Sequence, residues 1–222
     1  LLETKIKDLI LAQSNLTLAL LIRPEGVIIR ITAKASTHSE AEKMIEAVEA
    51  QVKARVGEYI YAVDDENMEE VVAKLLKDNC LTVACAESCT GGMLASRLTS
   101  ISGSSMYIKG SIVTYSNEAK MKFLDVDKEI LDTKGAVSPE VAKQMAKGVR
   151  KVVGSDIGVG ITGIAGPTGG TDKKPVGLVY IAVAGKDNTV VKENIFSGDR
   201  ARVRYRSTQQ ALEMIRQYIK NK

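Results

Sequence analysis

Histidine is almost absent: His38 is the only one in 222 residues. A histidine-based catalytic triad or a multi-histidine metal site is therefore not expected. Cysteine is scarce as well. Cys80, Cys85 and Cys89 are spaced C-x4-C-x3-C, which fits no zinc pattern. Three thiols beside one apolar run point instead to reduced cysteines in a cytosol. Carboxylates do not cluster, so neither a metal nor a cofactor is expected. No apolar run is long enough for a membrane helix, and none reads as a signal peptide. No Walker loop, dinucleotide fingerprint or internal repeat occurs. Residues 1–63 contain no G-x-x-G loop, and Tyr59 and Tyr61 are their only aromatics, which disfavours nucleic-acid binding by base stacking. The chain opens at Leu1, in mid-pattern and without a methionine, as a piece of a longer protein would.

The composition is that of an ordinary globular protein, with 45% hydrophobic and 26% charged residues. A formal charge of +4 neither demands a polyanion nor excludes a phosphorylated small ligand. The most informative stretch is Leu81–Leu98, LTVACAESCTGGMLASRL. An apolar run, a tight polar segment and apolar residues at helical spacing predict a buried strand, a sharp turn and a helix. A hydroxyl or thiol at that turn sits near the positive end of a helix, where an anion would be stabilised. Ser88, Cys89 and Thr90 are candidates, and an N-cap role for Ser88 or Thr90 is the plainer alternative.

Before that stretch, a helical pattern spans 1–15, and Leu16–Arg23 and Val27–Ala33 read as strands around Pro24-Glu25-Gly26. Thr37-His38-Ser39-Glu40 has capping-box spacing and opens a helix that ends at Gly57. Glu58–Val63 is expected to return as a strand. Asp64-Asp65-Glu66-Asn67 is an acidic break, giving a small α+β domain over 1–63 and a larger domain over 64–222. Met68, Val71, Val72, Leu75 and Leu76 define the next helix, with Asp64 or Asp65 near its start. In the larger domain, strands are expected at Met106–Tyr115, Asp156–Thr162, Val176–Ala184 and Thr189–Phe196, with helices between them. Ser138-Pro139-Glu140 and Asp199 are helix starts. This alternation, with a hairpin at 185–188, predicts a three-layer α/β/α domain with a mixed sheet.

Polar segments at strand ends mark the expected ligand crevice. They are Glu87–Gly92, Gly103–Ser105, Tyr115–Lys120, Thr162–Gly170 and Ser197–Arg200. A Ser-Lys pair is the natural route to an activated serine where no histidine serves, provided burial or a nearby cation lowers the lysine pKa. For Lys120 the plainer account is a surface helix. Of Arg200, Arg202, Arg204 and Arg206, most read as solvated surface, whereas Arg200 stands at the turn where a guanidinium can clamp a phosphate or carboxylate. The glycine-rich loop by itself reads more readily as a turn than as a ligand cradle.

Taken together, AESCTGG at 86–92, GSS at 103–105, VTYSNEAK at 113–120, GAVS at 135–138, GIAGPTGG at 163–170, KPVG at 174–177 and FSGDR at 196–200 resemble the CinA family of competence/damage-inducible proteins. The resemblance covers about 66–222, the family's carboxy-terminal domain, and 1–63 looks like its KH-type domain. It implies nicotinamide mononucleotide amidohydrolase activity, giving nicotinate mononucleotide and ammonia in pyridine nucleotide salvage. It implies Ser88 as nucleophile, Ser105 as rival nucleophile or partner, Lys120 as base and Tyr115 as its neighbour. Thr90, Gly91, Gly92, Thr162, Gly163, Gly166 and Arg200 would bind substrate or oxyanion. A cytoplasmic homodimer acting on a small mononucleotide, with no membrane or nucleic acid, is expected. The alternative is a catalytically silent nucleotide- or nucleic-acid-binding module. Nothing here matches the amino-terminal, molybdopterin-binding-like domain of longer members.

Overall fold

The structure, a computed structural model, describes residues 2–12 and 14–221. The chain divides into two compact units, the first ending at Asp65 and the second beginning at Glu66. Among the described residues, no helix is long and apolar enough to cross a membrane.

The first unit contains helix α1 (Leu2–Leu11), strands β1 (Leu16–Arg23) and β2 (Gly26–Ala33), and helix α2 (His38–Val56). Positions 1 and 13 of the 1–15 pattern lie outside the described residues. The strands pair antiparallel from Leu16↔Ala33 to Arg23↔Gly26, so Gly26 belongs to the strand and the turn is Pro24-Glu25. Thr37 caps α2 through a capping box with Glu40. The core is Ile6, Leu18, Val52 and Val56. The expected strand at 58–63 does not form. A 3-10 turn at Gly57–Tyr59 takes its place, and no neighbouring strand of the hairpin pairs with it.

The second unit runs α3 (Met68–Asp78), β3 (Val83–Glu87), α4 (Met93–Thr99), β4 (Ile108–Val113), α5 (Asn117–Leu124), α6 (Lys128–Lys134), α7 (Pro139–Val153), β5 (Ile157–Gly163), β6 (Leu178–Ala184), β7 (Thr189–Ile195) and α8 (Arg200–Lys220). Helix α3 begins at Met68, the first residue of its apolar pattern, and its cap is Asn67, in a capping box with Glu70. Ser138 and Asp199 cap α7 and α8 as their sequence contexts suggest. Strand β4 is shorter than its alternating pattern. Met106 closes a 3-10 turn, and Tyr107 is wholly buried with its hydroxyl donating to the Leu98 carbonyl.

The five strands lie in the order β4-β3-β5-β6-β7. β4, β3 and β5 are parallel, β6 runs antiparallel to β5 and β7 antiparallel to β6, so the sheet is mixed. Helices α5, α6 and α7 cover one face, and α3, α4 and α8 cover the other. One half of the core joins Ala84 and Ala86 of β3 to Leu124, Leu131, Val141, Met145 and Val149. Helix α7 lies very close to β5. A Cβ at Gly160 would stand 2.3 Å from the Ala142 carbonyl oxygen, and one at Gly158 2.0 Å from that of Ala146. Only glycine permits that approach.

This topology places the site. From β3 the chain passes by α4 to β4 on one side, then by α5, α6 and α7 to β5 on the other. The carboxyl end of β3 is thus the switch point of the sheet, where an open α/β fold leaves a crevice.

Candidate active site

Ser88 is the first residue beyond β3, and its N–H donates to the Ile161 carbonyl at 3.0 Å. The turn after it is built on two left-handed glycines, Gly91 (φ 61°) and Gly92 (φ 91°), a region a side chain would strain. Ser88 is 9% exposed.

Lys120 comes to Ser88 from α5, a helix capped by Ser116. Its side chain is buried at 1% exposure, and Nζ stands 3.3 Å from Ser88 Oγ. Nζ also donates to the carbonyl oxygens of Thr114 at 2.9 Å and Tyr115 at 3.3 Å. Burial pushes the amine pKa below the ordinary lysine value, while Cys89 and Glu118 oppose that shift. A neutral amine keeps two N–H groups, which the two carbonyls can hold, and one lone pair, which then faces the serine hydroxyl. After proton transfer, all three N–H groups of the ammonium have acceptors. The surface-helix account of Lys120 is thereby set aside.

The helix start differs from its expectation. Neither Ser88 nor Thr90 caps α4, whose N-cap is Gly92 without a side-chain bond. The buried Glu87 carboxylate does so instead. Oε2 accepts from the N–H groups of Gly92 and Leu94, both at 3.1 Å, and Oε1 from that of Ala95 at 2.9 Å. The Gly91 N–H donates to the Ser88 carbonyl at 3.1 Å. Gly91 and Gly92 are therefore not available as oxyanion donors. The Thr90 N–H has no acceptor among the described residues.

Thr162 lies beside Ser88 on β5, since Glu87 pairs with Ile161. Its hydroxyl donates to the Ala136 carbonyl at 2.7 Å. Its single proton is thus spent, which leaves it lone pairs but no donor for an oxyanion. Arg200 joins two expected residues: one guanidinium nitrogen donates to the Gly166 carbonyl at 2.9 Å and another to the Tyr115 hydroxyl at 3.0 Å. Tyr115 is 62% exposed at the rim. Gly163 and Gly166 are packing positions as well: an added Cβ would meet Val179 at 2.6 Å and Val176 at 2.5 Å respectively.

Ser105 is not in this constellation. β3 and β4 run parallel with Val83 opposite Ile108, so Ser105, which precedes β4, lies at the amino edge of the sheet. Ser88 lies at the carboxyl edge, roughly 17 Å of strand away at ~3.3 Å per residue. Within one chain Ser105 cannot compete for Lys120.

Four further residues have a place in the site that their sequence context does not reveal. Arg204 donates to the Thr90 carbonyl at 2.8 Å, so it is no merely solvated arginine. Its i,i+4 spacing from Arg200 was the available signal. Lys174 clasps the carbonyls of Lys134 and Val137, at 2.5 and 2.7 Å, and ties the glycine-rich loop to the start of α7. Thr114 is wholly buried and, with Thr90, has a hydroxyl lacking any partner among the described residues. Glu87 is the fourth.

Cys89 is buried, and its thiol is pushed up to about 11, chiefly by burial and also by Glu87, with Arg200 and Arg204 pulling the other way. At neutral pH it is a thiol and a poor rival to Ser88. Among the described residues, no group of three or more His, Cys, Asp or Glu could hold a metal ion.

The fold and site define a mixed-sheet α/β domain with a buried Ser-Lys pair at its switch point. Residues 65–219 match the family model described as the CinA C-terminal domain, and residues 1–62 that of the damage-inducible protein CinA KH domain. The chain belongs to the CinA family. It is 49% identical, over 98% of its length, to a competence-damage inducible protein of Thermoanaerobacter sp. (strain X514), of which it covers 53%. It is 47% identical to a CinA-like protein of Dictyoglomus thermophilum, over 99% of this chain and 53% of that one. The chain thus spans about half the length of these relatives. Among solved structures, the competence/damage inducible protein CihA of Agrobacterium tumefaciens aligns with TM-score 0.65 and 40% identity, over 69% of this chain and 96% of that one. A CinA superfamily protein of Klebsiella pneumoniae aligns with TM-score 0.68 and 31% identity, over 71% and 100%.

Proposed function

We propose that the second unit is an amidohydrolase acting on the carboxamide of nicotinamide mononucleotide, releasing nicotinate mononucleotide and ammonia. The observation that carries this reading is the buried lysine amine beside the Ser88 hydroxyl, held by two main-chain carbonyls. The family to which the chain belongs supplies the substrate class.

Ser88 Oγ attacks the carboxamide carbon while Lys120 takes the hydroxyl proton. Lys120 then gives the proton to the departing amine as the C–N bond of the tetrahedral intermediate breaks. Water hydrolyses the acyl-serine, with Lys120 as base, and restores the hydroxyl. Thr162 accepts a hydrogen bond from the substrate. Arg200 holds the substrate phosphate, and Tyr115 steadies that guanidinium from the rim. The reading needs no metal or cofactor. A cytoplasmic homodimer acting on a small mononucleotide, without membrane or nucleic-acid partners, belongs to the same proposal and rests on family resemblance.

The test is ammonia release from a panel of pyridine mononucleotides by the wild type, Ser88→Ala and Lys120→Ala. Release by the wild type alone is the expected result. Tight mononucleotide binding without ammonia would replace the enzyme by a silent nucleotide-binding module.

A further inference from the structure

Glu87 accepts three hydrogen bonds through its carboxylate and one through its carbonyl, yet beyond capping α4 it has no part in the proposed reaction. Its side chain is fully buried, and among the described residues no lysine, arginine or histidine pairs with it. Its charge is met by main-chain N–H groups at the start of α4, a cap supplied by the strand before the turn. The Glu87 carbonyl meanwhile accepts from the Thr114 N–H at 2.9 Å. Thr114 in turn provides the nearest carbonyl to Lys120 Nζ. One residue therefore grips both arms of the dyad. Its side chain fixes the far end of the turn that begins at Ser88, and its main chain fixes the segment that holds Lys120.

We infer that Glu87 is a positioning residue that sets the separation of Ser88 Oγ from Lys120 Nζ, acting through the Gly92–Ala95 amides rather than on the substrate. The inference rests on the Ser88–Lys120 reading. Three N–H donors converge on the two carboxylate oxygens. An isosteric amide would turn its own NH2 toward at least one of those donors. Glutamine is thus a disruptive replacement here, whereas aspartate keeps both acceptor oxygens with a shorter reach. A simple helix cap would cost stability alone. A positioning residue costs the chemical step, with substrate affinity kept, because Glu87 touches neither substrate nor rim.

The experiment compares the wild type, Glu87→Gln and Glu87→Asp by steady-state ammonia release, amide hydrogen exchange and crystal structures. In Glu87→Gln the amides of Gly92, Leu94 and Ala95 should exchange faster. kcat should fall 10- to 100-fold with KM within about threefold, as expected when an interaction of the transition state alone is lost. The Ser88–Lys120 distance should open beyond hydrogen bonding, and Glu87→Asp should recover part of the turnover. Fast exchange with wild-type kcat and an unchanged dyad would overturn the inference and leave Glu87 a cap. If Glu87→Gln fails to fold, Glu87→Asp decides: a dyad distance and kcat equal to wild type overturn the inference, and a wider dyad with lower kcat supports it. Should the wild type release no ammonia, the proposed reaction falls, yet the dyad distance in the variants still decides the positioning role.

Discussion

Lys120 Nζ lies 3.3 Å from Ser88 Oγ, although the residues are 32 positions apart in the chain. They meet because β3 ends at the switch point and α5 begins just beyond the carboxyl end of the neighbouring β4. The site's behaviour toward pH follows from that burial.

In the proposed reaction the base is the neutral Lys120 amine, whose pKa burial holds below the ordinary 10.5. Turnover should therefore rise with pH through that lowered value and then level. Stability has the same sign. Between the lowered folded pKa and the ordinary unfolded one, the unfolded chain binds a proton that the folded chain does not, so stability rises with pH in that window. Lys120→Met should abolish that slope and lower kcat on the order of 10²–10⁴-fold. Thermal melts across pH and single-turnover ammonia release check both; wild-type turnover in the variant would remove Lys120 as base.

Thr114→Val deletes a buried hydroxyl that has no partner while keeping the carbonyl that holds Lys120. Desolvating an unmet hydroxyl costs about 1–3 kcal/mol, so the near-isosteric valine should stabilise the fold by an amount of that order. Urea unfolding measures it. A destabilised variant would mean that the hydroxyl has a partner in solution.

Cys80 is exposed, whereas Cys85 and Cys89 are buried with raised pKa values. Iodoacetamide at neutral pH should alkylate Cys80 first, by mass mapping. Cys89→Ser should keep most turnover. A loss equal to that of Ser88→Ala would transfer the nucleophile to Cys89.

Arg200→Ala should raise KM for the mononucleotide more than it lowers kcat, if the guanidinium grips phosphate. Nicotinamide riboside, without the phosphate, should be a poor substrate and nearly indifferent to the change. Equal losses on both compounds would place Arg200 at the reacting amide instead.

Turnover should survive EDTA, because the proposed chemistry runs on the Ser88–Lys120 pair. Loss of activity with recovery on adding one specific divalent ion would sink that account.

Three helix starts are legible in the sequence because their signals are short-range. Thr37 with Glu40, Ser138 with Pro139, and Asp199 with Arg202 each settle a helix start within four residues. The 58–63 stretch misled because apolar residues favour a strand only when another strand offers a ladder, and none does there. The contact of Arg204 with the Thr90 carbonyl is not legible in the sequence, because a helical wheel shows which residues share a face, not what that face meets.

The sequence by itself determined most elements of both units, the turn that carries Ser88 and the family to which the chain belongs. Those features lie in contiguous residues whose backbone preferences and periodicity act locally. Tertiary structure alone decided that Ser105 stands at the opposite edge of the sheet, that Thr162 has spent its proton on Ala136, and that the helix start beside Ser88 belongs to Glu87. Each depends on strand order, register or the meeting of groups distant in the chain. Such pairings are fixed by packing across the whole domain, and a linear pattern carries no term for them.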